Sequence, residues 1–242
     1  MISIINNNLI YGDFKLDKLG VVEEVDRPLS PEIRINSKEL SGRNGEVYKN
    51  KKYASLFIDI YVRVFSYRNL NKFISTFMSY LHDDKLRPLN YKRNKTWYDA
   101  TLSSCEISEK YRNQRALLKL TFYVPSGYAR SRYMRDDYKN FTNQKIVLSG
   151  NMEVIPIFYF KGSNNKITNT RTGEFIRITG SSTYDYIIDH ERNYIYKDSI
   201  EEINLMKNLS WDSRFFTIKD GDTITADNPV SLKFYERFLY DE

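Results

Sequence analysis

A single cysteine, Cys105, has no partner for an intrachain disulfide, so the fold must be held by packing and hydrogen bonds. A reducing compartment fits this, and so does any assembly that needs no disulfide. No run of about 18 apolar residues occurs, which excludes a membrane-spanning helix. The opening "MISIINNNLIYGD" has no basic region followed by an apolar core, so no signal peptide is expected. Glycine-rich phosphate loops, zinc-ligand spacings and EF-hand loops are missing too. "DGDTITADN" has acidic residues at short intervals, but it lacks the twelve-residue calcium pattern and its final glutamate. It reads as a hairpin turn. Neither a cofactor nor a metal is expected.

What is abundant is aromatic. The 242 residues include 20 Tyr and 14 Phe, and flat rings pack well on pleated surfaces, which favours strands. With 41% hydrophobic and 28% charged residues the chain is globular, and it is long enough for one large β domain or two smaller ones. Charge is unevenly placed. Residues 1–150 carry 26 Lys/Arg against 16 Asp/Glu, whereas residues 151–242 carry 11 against 15. The first part is therefore basic by ten charges and the second acidic by four, as two modules of different surface would be.

Along the chain, "SLFIDIYVRVF" (55–65) alternates cleanly and reads as a half-buried strand. Asn44-Gly45 before it marks a turn. In "NLNKFISTFMSYLHDD" the apolar residues Leu70, Phe73, Ile74, Phe77, Met78 and Leu81 recur at three and four residues, which predicts one amphipathic helix, with Asn69 or Asn71 as its cap. "TWYDATLSSCEIS" and "RALLKLTFYV" predict a strand pair, ended by Pro125 and Gly127. Beyond residue 150 short strands follow one another, separated by turn residues that include Thr172-Gly173, Asp220-Gly221 and Asn228-Pro229. That spacing predicts an antiparallel sandwich or barrel. The fold class is mainly β, with domains at 1–140 and 151–242 and a linking strap over 126–150.

Candidate chemistry is sparse. His82 sits at the end of the helix, where an imidazole favours the dipole. Asp189, His190 and Glu191 form the one acid–base cluster, but neighbours on a strand point to opposite faces, so a turn is expected there instead. Cys105, within a strand, reads as a small buried hydrophobe. Trp211, Tyr184, Tyr186, Tyr194 and Tyr196 could serve as aromatic platforms for sugar or cover a contact with a neighbour. The stretch "SGYARSRYMRDDYKN" (126–140) sets three tyrosines among Arg130, Arg132, Arg135 and Lys139, residue types suited to stacking bases and neutralising phosphates. Asp136-Asp137 interrupts it, and strand breakers flank it.

The order of motifs resembles the distal tail protein (Dit) family of long, non-contractile-tailed phages (siphophages) that infect Gram-positive bacteria. The matching pieces are the "SGRNGE" turn (Gly42, Arg43, Asn44, Gly45), the strand "LFIDIYVRV", the helix "LNKFISTFMSYL", "PLNY", "WYDATL" and "LLKLTFYVPSGYA". The second domain supplies "VIPIFYFKG", "EFIRITG", "YIIDHE" and "DGDTITA". Asn44 stands where the family often has an acidic residue, and Asp222 where asparagine is common; both remain turn formers.

The resemblance implies a structural protein of the virion and no enzyme. It implies an N-terminal β-sandwich with one helix and an extended hairpin, and a C-terminal galectin-like β-sandwich. The N-terminal domain would form a homohexameric ring at the distal end of the tail. That ring would join the tail tube protein to tail-tip proteins and to receptor-binding or baseplate proteins. DNA would meet it only in transit through the central channel. The protein would be made in the host cytoplasm. Gly42, Arg43, Asn44, Gly45, Tyr48, Lys51 and Tyr53, in and beside the hairpin turn, are the candidate ring contacts. Tyr128, Arg130, Arg132, Tyr133, Arg135 and Tyr138 are the candidate strap, their long stems and polar tips suited to tying two modules together. The alternative is a carbohydrate-binding sandwich that contacts the host cell wall. The second domain has no long inserted segment to hold a separate sugar-binding module.

Overall fold

The computed structural model describes residues 9–16, 20–39, 46–64, 67–91, 95–111, 115–162, 164–180, 185–197 and 203–239. It divides into two compact units. One comprises the described residues up to Arg130 together with Leu239, and the other is Ser131–Phe238. The division falls between Arg130 and Ser131, ahead of the 140–150 region that composition pointed to.

The first unit contains β1 (Leu9–Tyr11), β2 (Phe14–Lys15), β3 (Gly20–Asp26), β4 (Ile33–Glu39), β5 (Glu46–Tyr53), β6 (Leu56–Val64), α1 (Tyr67–Leu81), β7 (Arg87–Tyr91), β8 (Thr96–Tyr111), β9 (Arg115–Val124) and the start of β10 (Ala129–Ser131). Its large sheet runs in the order β2-β1-β7-β8-β9-β6-β3. β8 is long enough to serve two neighbours: its first part pairs with β7 (Arg87↔Ala100), and the rest pairs with β9 (Thr101↔Tyr123 to Tyr111↔Arg115). The sheet thereby curls. Alternation in β6 buries Leu56, Ile58, Ile60, Val62 and Val64 as the sequence pattern requires. Against this face α1 lays Leu70, Phe73 and Phe77, whose side chains are buried. Phe73 and Phe77 stack at 4.5 Å, and Phe14 meets Phe77 edge-on at 4.8 Å. The helix begins earlier than its expected caps, so Asn69 and Asn71 lie inside it.

β4 and β5 form a separate two-stranded sheet. Its root is fixed locally. The Ala54 amide donates to the Glu32 carbonyl at 2.8 Å, closing the hairpin where its strands converge. The turn after β9 presses on the same place. Gly127 has φ +72°, and a Cβ on it would collide with the Ala54 carbonyl oxygen and crowd Pro31. Only glycine combines that backbone with so close an approach.

The second unit adds β11 (Arg135–Lys145), β12 (Ile157–Lys161), β13 (Asn165–Asn169), β14 (Phe175–Ile178), β15 (Asp185–Asp189), β16 (Tyr194–Lys197), β17 (Ile203–Asn204), a 3-10 turn at Met206–Asn208, β18 (Thr223–Phe234) and β19 (Arg237–Phe238). β18 spans the unit. Ile224–Ala226 pair with β13, Ser231–Lys233 pair with β12, and β11 runs along the other edge. All the pairings are antiparallel, and they enclose a core that includes Phe158, Ile167, Ile176, Ile188, Ile218, Ile224 and Leu232.

Asn228-Pro229 is not a turn between strands but an exposed bulge within β18, where its pairing passes from β13 to β12. The buried Asn165 side chain substitutes for the missing ladder: Nδ2 donates to the Asn228 carbonyl at 3.2 Å and Oδ1 accepts from the Asn228 amide at 3.1 Å. Residues 135–145, expected within a linking strap, are a strand of the second unit. They bury few apolar side chains because the strand lies at an edge, and three register shifts and its charged residues mark it as such.

Gly127→Ala is expected to cost at least about 2 kcal/mol, since it adds a backbone collision to a left-handed φ. Gly173→Ala, with φ +73° and open space around it, should cost only about 1 kcal/mol. Urea unfolding of both variants measures the difference.

Candidate assembly surfaces

Among the described residues no third strand pairs with β4 or β5. The hairpin extends from Ile33↔Tyr53 to Glu39↔Glu46, with one shift between Asn36 and Ser37. Beside that shift the Asn36 amide donates to Asn50 Oδ1 at 2.7 Å. Ile33 and Ile35 alternate onto one face of β4 and are exposed, Ile35 to 66%. Leu29, shortly before the strand, is exposed to 86%. An isolated two-stranded hairpin is marginally stable in water, and this one also shows apolar residues and open edges. Its residue types are basic: Arg34, Lys38, Lys49, Lys51 and Lys52 against Glu39 and Glu46. Of the candidate ring contacts, Gly42, Arg43, Asn44 and Gly45 lie outside the described residues. Tyr48 pairs opposite Ser37, Lys51 opposite Ile35 and Tyr53 opposite Ile33.

The strap candidates separate between the units. Tyr128 and Arg130 belong to the first, and Arg132, Tyr133, Arg135 and Tyr138 to the second. Arg130 grips Asp99 of β8 with two hydrogen bonds, 2.5 and 2.7 Å. Arg132 stacks on Tyr133. Arg135 is the best-anchored of the set. It donates to Glu236 at 2.6 Å, to both Asp137 oxygens and to the Val147 carbonyl, and it lies over the Tyr138 and Phe234 rings. The hydrogen bond to Asp137 above all raises its pKa; burial opposes the shift, and Glu236 adds to it. Glu236, which sequence reasoning passed over, is buried. It also accepts from the amides of Ser149 (3.1 Å) and Gly150 (3.0 Å), while the Ser131 amide donates to the Glu236 carbonyl at 2.9 Å and the Glu236 amide donates to Ser131 Oγ at 3.1 Å. With Arg130 and Arg135 already held by carboxylates, the stretch serves structure before it could serve phosphate.

The second unit's polar interior is also structural. Asp189 ends β15, and its Oδ1 accepts from the Glu191 and Arg192 amides, making 189–192 a turn. His190 is 5% exposed, packed by Phe158, Phe215 and Phe216. Its Nδ1 lies 2.9 Å from the Phe216 carbonyl oxygen and 3.0 Å from the Phe216 amide, and its Nε2 has no partner among the described residues. A shallow pocket of about 300 Å³ opens beside it, lined by Ile155, Glu174, Asn193, Phe215 and Thr217. Buried Asp222 stands where burial would raise a carboxyl pKa. Arg171, the Lys219 amide and Asn169 all donate to it, and the net shift is down. Cys105, opposite Leu120, has its thiol pushed up by burial to about 11, so it is no nucleophile at neutral pH. His82 is exposed after α1. The aromatic residues do not share one open surface. Tyr186 is buried against Phe160, Tyr194 and Tyr196 stack under Arg192, and Tyr184 lies outside the described residues. Trp211 alone of these is fully open.

Burial lowers the His190 pKa from 6.5 to about 4, against a smaller raising effect from its Phe216 bonds. The unfolded chain therefore binds this proton first. Stability should be intact above pH 6.5 and fall as pH drops towards 4, by on the order of 3 kcal/mol. Asp222, whose pKa is lowered, adds a loss only below that window. Urea titrations at successive pH values should show a shallower loss for His190→Phe.

Residues 149–238 match the SPP1 Dit family, described as the siphovirus-type tail component, C-terminal domain. No curated protein matches the chain in sequence. Among solved structures, the SPP1 Dit (gp 19.1) protein, called a paradigm of the hub adsorption apparatus in Gram-positive infecting phages, aligns over 96% of this chain and 99% of its own. Its TM-score is 0.75 at 15% identity. A chain of the phage p2 baseplate in its activated conformation with Sr aligns over 95% of this chain and 97% of its own, with TM-score 0.51 at 12% identity. A chain of the same baseplate with Ca aligns over 96% and 91%, also with TM-score 0.51 at 12%. The second unit thus matches the siphovirus-type tail component, C-terminal domain, over residues 149–238, and the whole chain has the fold of the SPP1 Dit protein.

Proposed function

We propose that six copies of this chain close into a ring at the distal end of the tail. The ring joins the tail tube protein on one side to tail-tip and receptor-binding or baseplate proteins on the other. DNA passes through its channel on ejection, and the chain, made in the host cytoplasm, acts by shape and interface without a reaction. The observation that carries this reading is the β4–β5 hairpin, which no other described strand pairs and whose Ile33 and Ile35 stand open. A ring needs one surface to meet a different surface of the next copy, and an edge-bearing hairpin with apolar residues supplies the first of these. Tyr48, Lys51 and Tyr53 then sit within the contact. The basic excess of residues 1–150 complements an acidic neighbour.

Electron microscopy of the purified chain, alone and mixed with tail tube protein, tests the ring. Six-fold rings are expected. Replacing residues 33–53 with a short glycine turn should abolish them while near-ultraviolet circular dichroism still reports packed aromatics. Rings that persist without the hairpin would contradict the proposed contact. A chain that stays monomeric with every tail partner would contradict the ring itself.

A further inference from the structure

The second unit holds one tryptophan almost wholly in water. Trp211 is 97% exposed, and its position is built. It stands in a tight turn closed by the Ser213 amide on the Ser210 carbonyl at 3.1 Å. Ser210 Oγ donates to Asp212 at 2.6 Å, and Arg177 of β14 pairs with the other Asp212 oxygen at 3.4 Å. Backbone bonds fasten the turn along the β14 edge: Ser210 to Arg177 at 2.9 Å, and Arg214 to Phe175 at 2.8 Å. An indole left in solvent by a loose tail would need no explanation. One held out by five fixed contacts is an anchor awaiting a pocket.

The surroundings define what would receive it. Lys166 and Arg177 are direct cross-strand partners on β13 and β14, an unfavourable placement of like charges. Phe175 eases it by lying under both, 4.4 Å from Lys166 Nζ and 5.2 Å from the Arg177 guanidinium carbon, and Asp212 offsets Arg177. Arg214 is exposed beside them. Three cations against one carboxylate leave a positive rim around an aromatic anchor, and Trp with Arg is the combination that dominates protein–protein hot spots.

We propose, building on the tail-hub reading, that Trp211 with Lys166, Arg177 and Arg214 docks a different tail protein, one that presents an apolar slot bordered by Asp or Glu. Stacked nucleic acid or a polyanion fits less well. Only one ring is open, Phe175 being already occupied, and Asp212 sits among the cations. A two-fold contact between copies would oppose like charges across the interface.

Hydroxyl-radical footprinting of purified tails against the free chain, with half-buried Trp97 as internal reference, reads the surface directly. Trp211 oxidation should be lost in tails, and carbodiimide should link Lys166 to an Asp or Glu of another tail protein. Trp211→Ser should leave the chain in tails but weaken its binding to that cross-linked protein by about thirtyfold or more. A chain present in tails with Trp211 still fully reactive overturns the docking surface alone. A Lys166 link to a second copy of this chain, or protection that appears only on adding polyphosphate, overturns the chosen partner. A chain missing from purified tails overturns the docking surface and the tail-hub reading together.

Discussion

Every peptide group in a strand carries a donor and an acceptor, and a hairpin whose strands pair only with each other leaves a row of them on each outer edge. In this chain that hairpin is β4–β5, from Ile33 to Tyr53, and no other described strand joins it. Water can satisfy those groups but cannot favour Ile33 and Ile35, which stand on one face. The first unit meanwhile invests in holding the hairpin's root: the Glu32–Ala54 hydrogen bond closes it, and Gly127 lets the turn after β9 approach the Ala54 carbonyl without a side chain between. A fixed root on an arm that no other described strand supports is what the proposed ring contact would require. It gives the ring reading a physical cause beyond likeness of fold.

The second unit solves the opposite problem, closing itself. β18 must bend to pair with β13 and then β12, and Pro229 at the bend has no amide to offer. The buried Asn165 side chain bonds the amide and carbonyl of Asn228, the residue before the proline. At the far end Glu236 gathers Arg135 and two amides of the 149–150 segment, so β11 stays on its edge despite burying little apolar area. β11 is blunted by bulges and charge, which discourages further strand addition along it. The surface that remains distinctive is the Trp211 turn, where an apolar side chain is presented instead of hidden.

Much of the fold was legible because periodicity reports burial. The alternation of residues 55–65 became β6, and the three-and-four spacing of 70–81 became α1. The motif order pointed to the family on its own. What stayed hidden depended on contacts distant in sequence. "RDDYKNFTNQK" has one buried apolar residue, Phe141, so its strand character comes from the β18 backbone and not from pattern. Asn228-Pro229 looked like a strand break because nothing local announces that Asn165, sixty-three residues before Asn228, bonds the Asn228 backbone. Arg130 and Arg135 looked like part of a phosphate-binding set because two of their carboxylate partners, Asp99 and Glu236, are far along the chain. Exposure is likewise invisible in sequence: five aromatic residues seemed equivalent, and of the four that the structure describes only Trp211 stands fully open.

The central claim is that assembly satisfies the β4–β5 edges. Amide hydrogen exchange over residues 33–53, compared between the dilute chain and assembled tails, tests it most directly. Slow exchange in tails and fast exchange in the dilute chain is the expected result, since free edges and marginal hairpins open readily. Equally slow exchange in both would show that the hairpin is stable by itself and would contradict the account.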